Sequence, residues 1–118
     1  MKWTWSQLDN DNDYGGHVYI LVRQDLTREQ QTVQAAHVAF EVARSEHISH
    51  PIPHPHFVLC GVCDESALLR QCERLEFRGI PFSPFYEPDQ NNELTAIATA
   101  PVFGKTRKFF SNLPLLKG

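Results

Sequence analysis

Apolar residues come in short blocks along this chain, and the period changes from block to block. VYILV, residues 18–22, is an unbroken apolar run, the pattern of a strand covered on both faces, and it predicts a first strand over 17–24. Thr27 then offers a helix cap. Behind it, apolar residues recur at helical spacing: Val33, Ala36, Phe40 and Ala43 on one stripe, Ala35, Ala39 and Val42 on another. Two stripes predict a substantially buried helix ending near Glu46. HISHPIPHPH, residues 47–56, places prolines at 51, 53 and 55, which favour an extended surface linker. FVLCGVC, residues 57–63, predicts a second strand. Asp64 caps a second helix over Glu65–Arg78, with Leu68, Cys72 and Leu75 inward and Gly79 as its stop.

Ile80–Tyr86 predicts a third strand, and Pro81 and Pro84 assign it to a sheet edge. EPDQNNE is a turn. LTAIATA, residues 94–100, is a strand of small residues suited to a crowded sheet centre, and Pro101 ends it. A last helix is expected over Lys105–Asn112, with Phe109 and Phe110 available for packing. The order βαβαββα predicts an α/β protein: one three-layer α/β/α domain around a four-stranded mixed sheet. The first and fourth strands should be central. Ile20, Phe40, Leu68, Leu75 and Ile97 should be core. Residues 1–16, with the turn-forming run DNDNDYGG, read as a flexible leader on which Trp3 and Trp5 are free to dock; residues 17–118 form the domain.

Composition narrows the class. With 42% apolar and 21% charged residues in 118, the chain suits one soluble domain. A formal charge of −3 at pH 7 argues against strong, non-specific nucleic-acid binding. The charge is unevenly placed, because after Pro101 the charged residues are Lys105, Arg107, Lys108 and Lys117 alone. That basic end fits either a phosphate backbone or a solvated helix. Three cysteines and no signal peptide imply free thiols and a cytoplasmic protein. Cys60 and Cys63 spell C-x-x-C, but the motif closes an apolar strand, so Cys60, Cys63 and Cys72 read as buried small hydrophobes. His47, His50, His54 and His56 crowd the linker, yet no fixed carboxylate or thiolate stands beside them. Neither metal nor cofactor is expected. No apolar run approaches the length of a membrane span.

The densest candidate chemistry lies on the first helix. Gln30, Gln34 and His37 are spaced by four and three residues and project from one face, where a strand hands over to a helix N-terminus. Thr27 and Gln30 also fit a capping box, in which Gln30 only satisfies backbone donors. His37 lies beside Val33, Ala36 and Phe40 on the core stripe, which equally suits a buried histidine with one partner.

The ordered motifs resemble the type 2 peptidyl-tRNA hydrolase family over nearly all of His17 to Leu116. VYILVRQDL is similar to that family's opening strand and Arg-x-Asp-Leu turn. VQAAHVA, residues 33–39, resembles its A-Q-x-x-H-A helix motif, with Gln34 and His37 in register. Cys63-Asp-Glu-Ser-Ala-Leu resembles its entry into the second helix, and Arg78-Gly-Ile-Pro its lead into strand three. Thr95-Ala-Ile-Ala-Thr-Ala-Pro resembles its closing strand, and PLLK its end. The resemblance implies hydrolysis of the ester joining a peptide to tRNA, with a tRNA 3′ end, or another RNA or nucleotide, as partner. It also implies a site of Gln30, Gln34, His37, Glu87 and Thr95 between the start of helix one and the ends of strands three and four.

The chain departs from the family at the reacting groups. Gln30 holds the family's Lys position, Glu87 its Asp position, one Thr has no counterpart, and Thr95 stays in place. A neutral amide is a weaker oxyanion donor than a charged amine. Two readings follow: a divergent hydrolase, or a binding module of the same fold that has lost the reaction. The edge strand additionally offers a surface for a homodimer.

Overall fold

The computed structural model describes residues 15–48 and 54–117. Most of the leader, with Trp3 and Trp5, and linker residues His50, Pro51 and Pro53 lie outside them. β1 (His17–Arg23), β2 (His56–Val62), β3 (Phe82–Glu87) and β4 (Glu93–Thr99) form one mixed sheet in the order β2-β1-β4-β3. β1 runs parallel to β2, while β4 runs antiparallel to both β1 and β3. The expected α/β class, central β1 and β4, and edge β3 are all present. α1 (Arg28–Ala43) covers one face and α2 (Glu65–Arg78) the other. The last segment, Gly104–Phe110, is a 3₁₀ helix rather than the expected α-helix.

Each sheet face has its own core. Val18, Ile20 and Val22 point to α1 and meet Val38, Val42, Ala96 and Ala98. Tyr19 and Leu21 point the other way, towards Leu68 and Leu75 of α2, Ile97 and Phe110. The small residues of β4 face α1, which lets that helix sit close. Both sheet edges are dulled. The backbone at 114–116 lies along β2, with Gly61 N–H donating to Pro114 O at 3.0 Å and Leu116 N–H to Leu59 O at 2.9 Å. Pro84 interrupts the outer edge of β3.

α1 departs from the sequence expectation in which stripe it buries. Gln31, Gln34, Val38 and Val42 are buried, whereas Val33 and Phe40 are 49% and 65% exposed. Phe40 is therefore not core. The Phe40 stripe is wholly apolar and the buried one carries Gln31 and Gln34, so periodicity favours the wrong face; Gln34 is buried with both ends of its amide bonded, to Thr95 on the sheet and to Glu87. The helix also stops at Ala43, short of Glu46. Cys63 is exposed, against expectation, while Cys60 is buried and Cys72 half-buried. Burial pushes the Cys60 thiol up, and burial together with nearby Glu76 pushes Cys72 up to about 11, so neither is a ready nucleophile.

At the end of β1, Arg23 is buried yet fully engaged. It donates to Asp25 at 2.9 Å from both Nε and Nη2, and to Glu93 at 2.7 Å and the Leu94 carbonyl at 3.2 Å from Nη1. The Arg23 hydrogen bond holds the Asp25 carboxyl below its usual range. A lowered folded value means stability that is present above the ordinary carboxylate pKa and lost as pH falls through the folded one. Asp25→Asn should therefore destabilise the protein at pH 7, and denaturant midpoints of variant and wild type should converge as pH drops below about 4. Phe40→Ala should change stability by less than about 0.5 kcal/mol, as for other surface sites, whereas Leu68→Ala should cost about 2–5 kcal/mol. Urea unfolding measures both.

Candidate functional site

The site begins with an irregularity in β4. Opposite β3, Phe85 pairs with Ala96 and Tyr86 with Leu94, so Thr95 is one residue too many. The bulge breaks the period-2 alternation. Leu94 and Ile97, three apart, both enter the α2-side core, and Thr95 turns towards α1. Thr95 is fully buried, and its hydroxyl donates to Gln34 Oε1 at 2.5 Å. Gln34, 4% exposed, donates from Nε2 to Glu87 Oε1 at 2.8 Å. Three elements thus contribute one polar chain, from Thr95 through Gln34 to Glu87. Every step is a donor meeting an acceptor, which is what a buried amide requires.

Direction matters in this chain. The Thr95 hydroxyl donates inward, to Gln34 Oε1 with the Phe85 carbonyl 3.4 Å away as a longer second acceptor, and it is fully buried, so Thr95 is neither an oxyanion donor nor a nucleophile here. The Gln34 amide hydrogens point at the carboxylate. Glu87, the last residue of β3, is partly exposed and is the member of the chain that reaches the surface. An ionised carboxylate braced this way can accept a proton from water or hold a ligand hydroxyl.

Gln30 and His37 are placed differently. The Gln30 side chain closes the capping box: its Oε1 accepts from Thr27 N–H at 2.9 Å, and Thr27 Oγ1 accepts from Gln30 N–H at 3.2 Å. Its observed bonds are thus to the Thr27 cap and not to Glu87 or Thr95. His37 is exposed rather than on a core stripe, and its ring stacks on Phe85 with centroids 4.5 Å apart and planes 4° from parallel. Phe85 had no sequence signal beyond lying in a strand. Of the five residues expected together, Gln34, Glu87 and Thr95 are bonded into one chain, His37 on α1 stacks on Phe85, two residues before Glu87, and Gln30 is occupied at the cap.

Two other features bear on chemistry. Among the described residues, no group of three or more His, Cys, Asp or Glu side chains could hold a metal ion. His47 Nε2 lies 3.0 Å from the Phe82 carbonyl, so this histidine ties the linker to β3. No described helix is long and apolar enough to cross a membrane. No protein-family model matches the chain, and no curated protein matches it.

Thr95→Val keeps the shape and removes the donor, leaving the buried Gln34 carbonyl unsatisfied. It should cost about 1–3 kcal/mol, measured by urea unfolding. Thr27→Ala should cost about 0.5–2 kcal/mol by removing the cap.

Proposed function

We propose that this protein is a divergent relative of the type 2 peptidyl-tRNA hydrolases, and that its site takes the ester joining a peptide to the 3′ end of tRNA. The observation that supports this reading is the bonded chain Thr95–Gln34–Glu87: the positions that resemble the family's site, far apart in sequence, converge on one partly exposed carboxylate. In this reading Glu87 orients and deprotonates the attacking water. Gln34 and Thr95 are positioning residues that fix the carboxylate. The exposed His37 ring, held flat on Phe85, offers a stacking surface for the terminal base. In this reading the protein acts in the cytoplasm, one of the compartments where such esters form.

The oxyanion is the weak point. A cation at the start of α1 would stabilise it, but position 30 carries a neutral amide already bonded to Thr27. Loss of one such donor typically costs about 10²–10³ in rate. Slow turnover follows. The same observation favours a second reading, a module that binds the tRNA end and no longer cleaves it.

Single-turnover cleavage of an N-acetyl-aminoacyl-tRNA distinguishes the two. The hydrolase reading expects slow release of the acylated amino acid by wild type, and roughly 10²-fold less with Glu87→Gln, whose amide cannot act as base. Gln30→Lys should raise the rate, by up to about 10²-fold, because it restores charge near the developing oxyanion. Binding without cleavage by wild type and Gln30→Lys alike would favour the module.

A further inference from the structure

The sheet face opposite α1 carries a second cluster that the ester reading does not use. Arg70, Arg74 and Arg78 follow one another by four residues along α2, spaced about 6 Å apart on one side of the helix. Phe109, from the 3₁₀ helix, lies beneath two of them. The Arg74 and Arg78 guanidinium carbons stand 4.5 Å and 5.2 Å from its ring centroid. Phe77, between them on α2, is 90% exposed. These side chains and Glu73 line an open depression of about 660 Å³.

The charge here opposes that of the whole chain. The exposed Lys105, Arg107 and Lys108 lie on the short helix that presents Phe109, and with the three arginines they make six cations. The carboxylates on this part of α2 are Glu73 and Glu76, leaving a local excess of four positive charges on a chain whose net charge is −3. Among the described residues, the ion pairs belong to Arg23 and Arg44, and none of these six cations has a carboxylate partner. Phe109 holds both guanidinium groups at cation–π range; Arg74 Nη1 donates to Gln71 Oε1 at 2.8 Å, and the remaining N–H groups of this exposed row can meet phosphate oxygens.

We propose that this face binds single-stranded RNA, with phosphates on the arginine row and the neighbouring lysines and a base stacked on Phe77. An unpaired base is what the exposed ring selects, since a duplex keeps its base faces stacked on one another. The surface lies on the layer opposite Glu87, so it stands or falls independently of the ester reading.

Fluorescence anisotropy with a labelled 12-nucleotide oligouridine tests this, against a hairpin duplex of equal length and against vesicles rich in phosphatidylserine. Wild type should bind the single strand in preference to the hairpin and the vesicles, and lose affinity steeply between 50 and 200 mM salt. Phe77→Ala should weaken binding about 5- to 100-fold, the range for loss of one base stack, with an unchanged melting temperature because the ring is exposed. Arg70→Gln combined with Arg78→Gln should reduce the slope of log affinity against log salt by about 1.4, or roughly 0.7 per phosphate contact. Phe40→Ala, which removes an exposed ring on α1 outside both sites, should leave binding unchanged. Equal binding of strand and hairpin with no effect of Phe77→Ala would overturn the proposal, as would tighter binding to the vesicles than to RNA.

Discussion

The extra residue in β4 is the constraint on which the site depends. A sheet with both faces covered must place every side chain in one core or the other, and a regular β4 would send Leu94 and Ile97 to opposite sides. The bulge at Thr95 lets both enter the α2-side core, where each is fully buried. It also interrupts the ladder, and side chains make up the lost bonds. The Leu94 carbonyl accepts from Arg23 and its N–H donates to Glu65 Oε2 at 2.8 Å. At the other end of the β1–β4 ladder, the Thr99 hydroxyl accepts from Tyr19 N–H at 3.0 Å. The short central ladder is thus finished at both ends by polar side chains, as buried backbone demands.

One consequence is the rotation of α1. Thr95 projects from the sheet towards α1, where Gln34 Oε1 at 2.5 Å is a closer acceptor than the Phe85 carbonyl at 3.4 Å, and Gln34 in turn donates from Nε2 to Glu87. Satisfying a buried hydroxyl and amide outweighs burying Phe40, which a different rotation would allow. The cost is an outward stripe with Val33 and Phe40 exposed. Packing and site geometry are therefore one problem: the contact that orients the helix also fixes the carboxylate. Among the described residues no ion pair reaches Glu87. Arg23, at the end of β1, is bound by Asp25 and Glu93 and serves the fold.

Much of this was legible in the sequence. The change of period from VYILV to the Thr27-capped helix, the Asp64 cap, the Gly79 stop and the two prolines of strand three marked element types, order and the edge. Each is a local signal. The capping box at Thr27 and Gln30 was legible for the same reason, and so was its implication that Gln30 serves the backbone there. Which α1 stripe turns inward was not, since it depends on a hydroxyl some sixty residues away. The bulge left no local mark, because LTAIATA reads equally well as a regular strand. Cys63 fell outside the strand core because β2 ends at Val62, one residue before it. The final helix tightened to 3₁₀ geometry, a distinction that apolar spacing over seven residues does not carry.

The bulged Thr95 and the helical Gln34 act as one unit that holds Glu87. A double-mutant cycle between Thr95→Val and Gln34→Leu, read by urea unfolding, tests it most directly. Non-additivity of about 0.5–3 kcal/mol is expected, the double variant losing less than the two single losses together, because the second change removes the group that the first left unsatisfied. Losses that add within about 0.5 kcal/mol would contradict it, since independent sites behave that way.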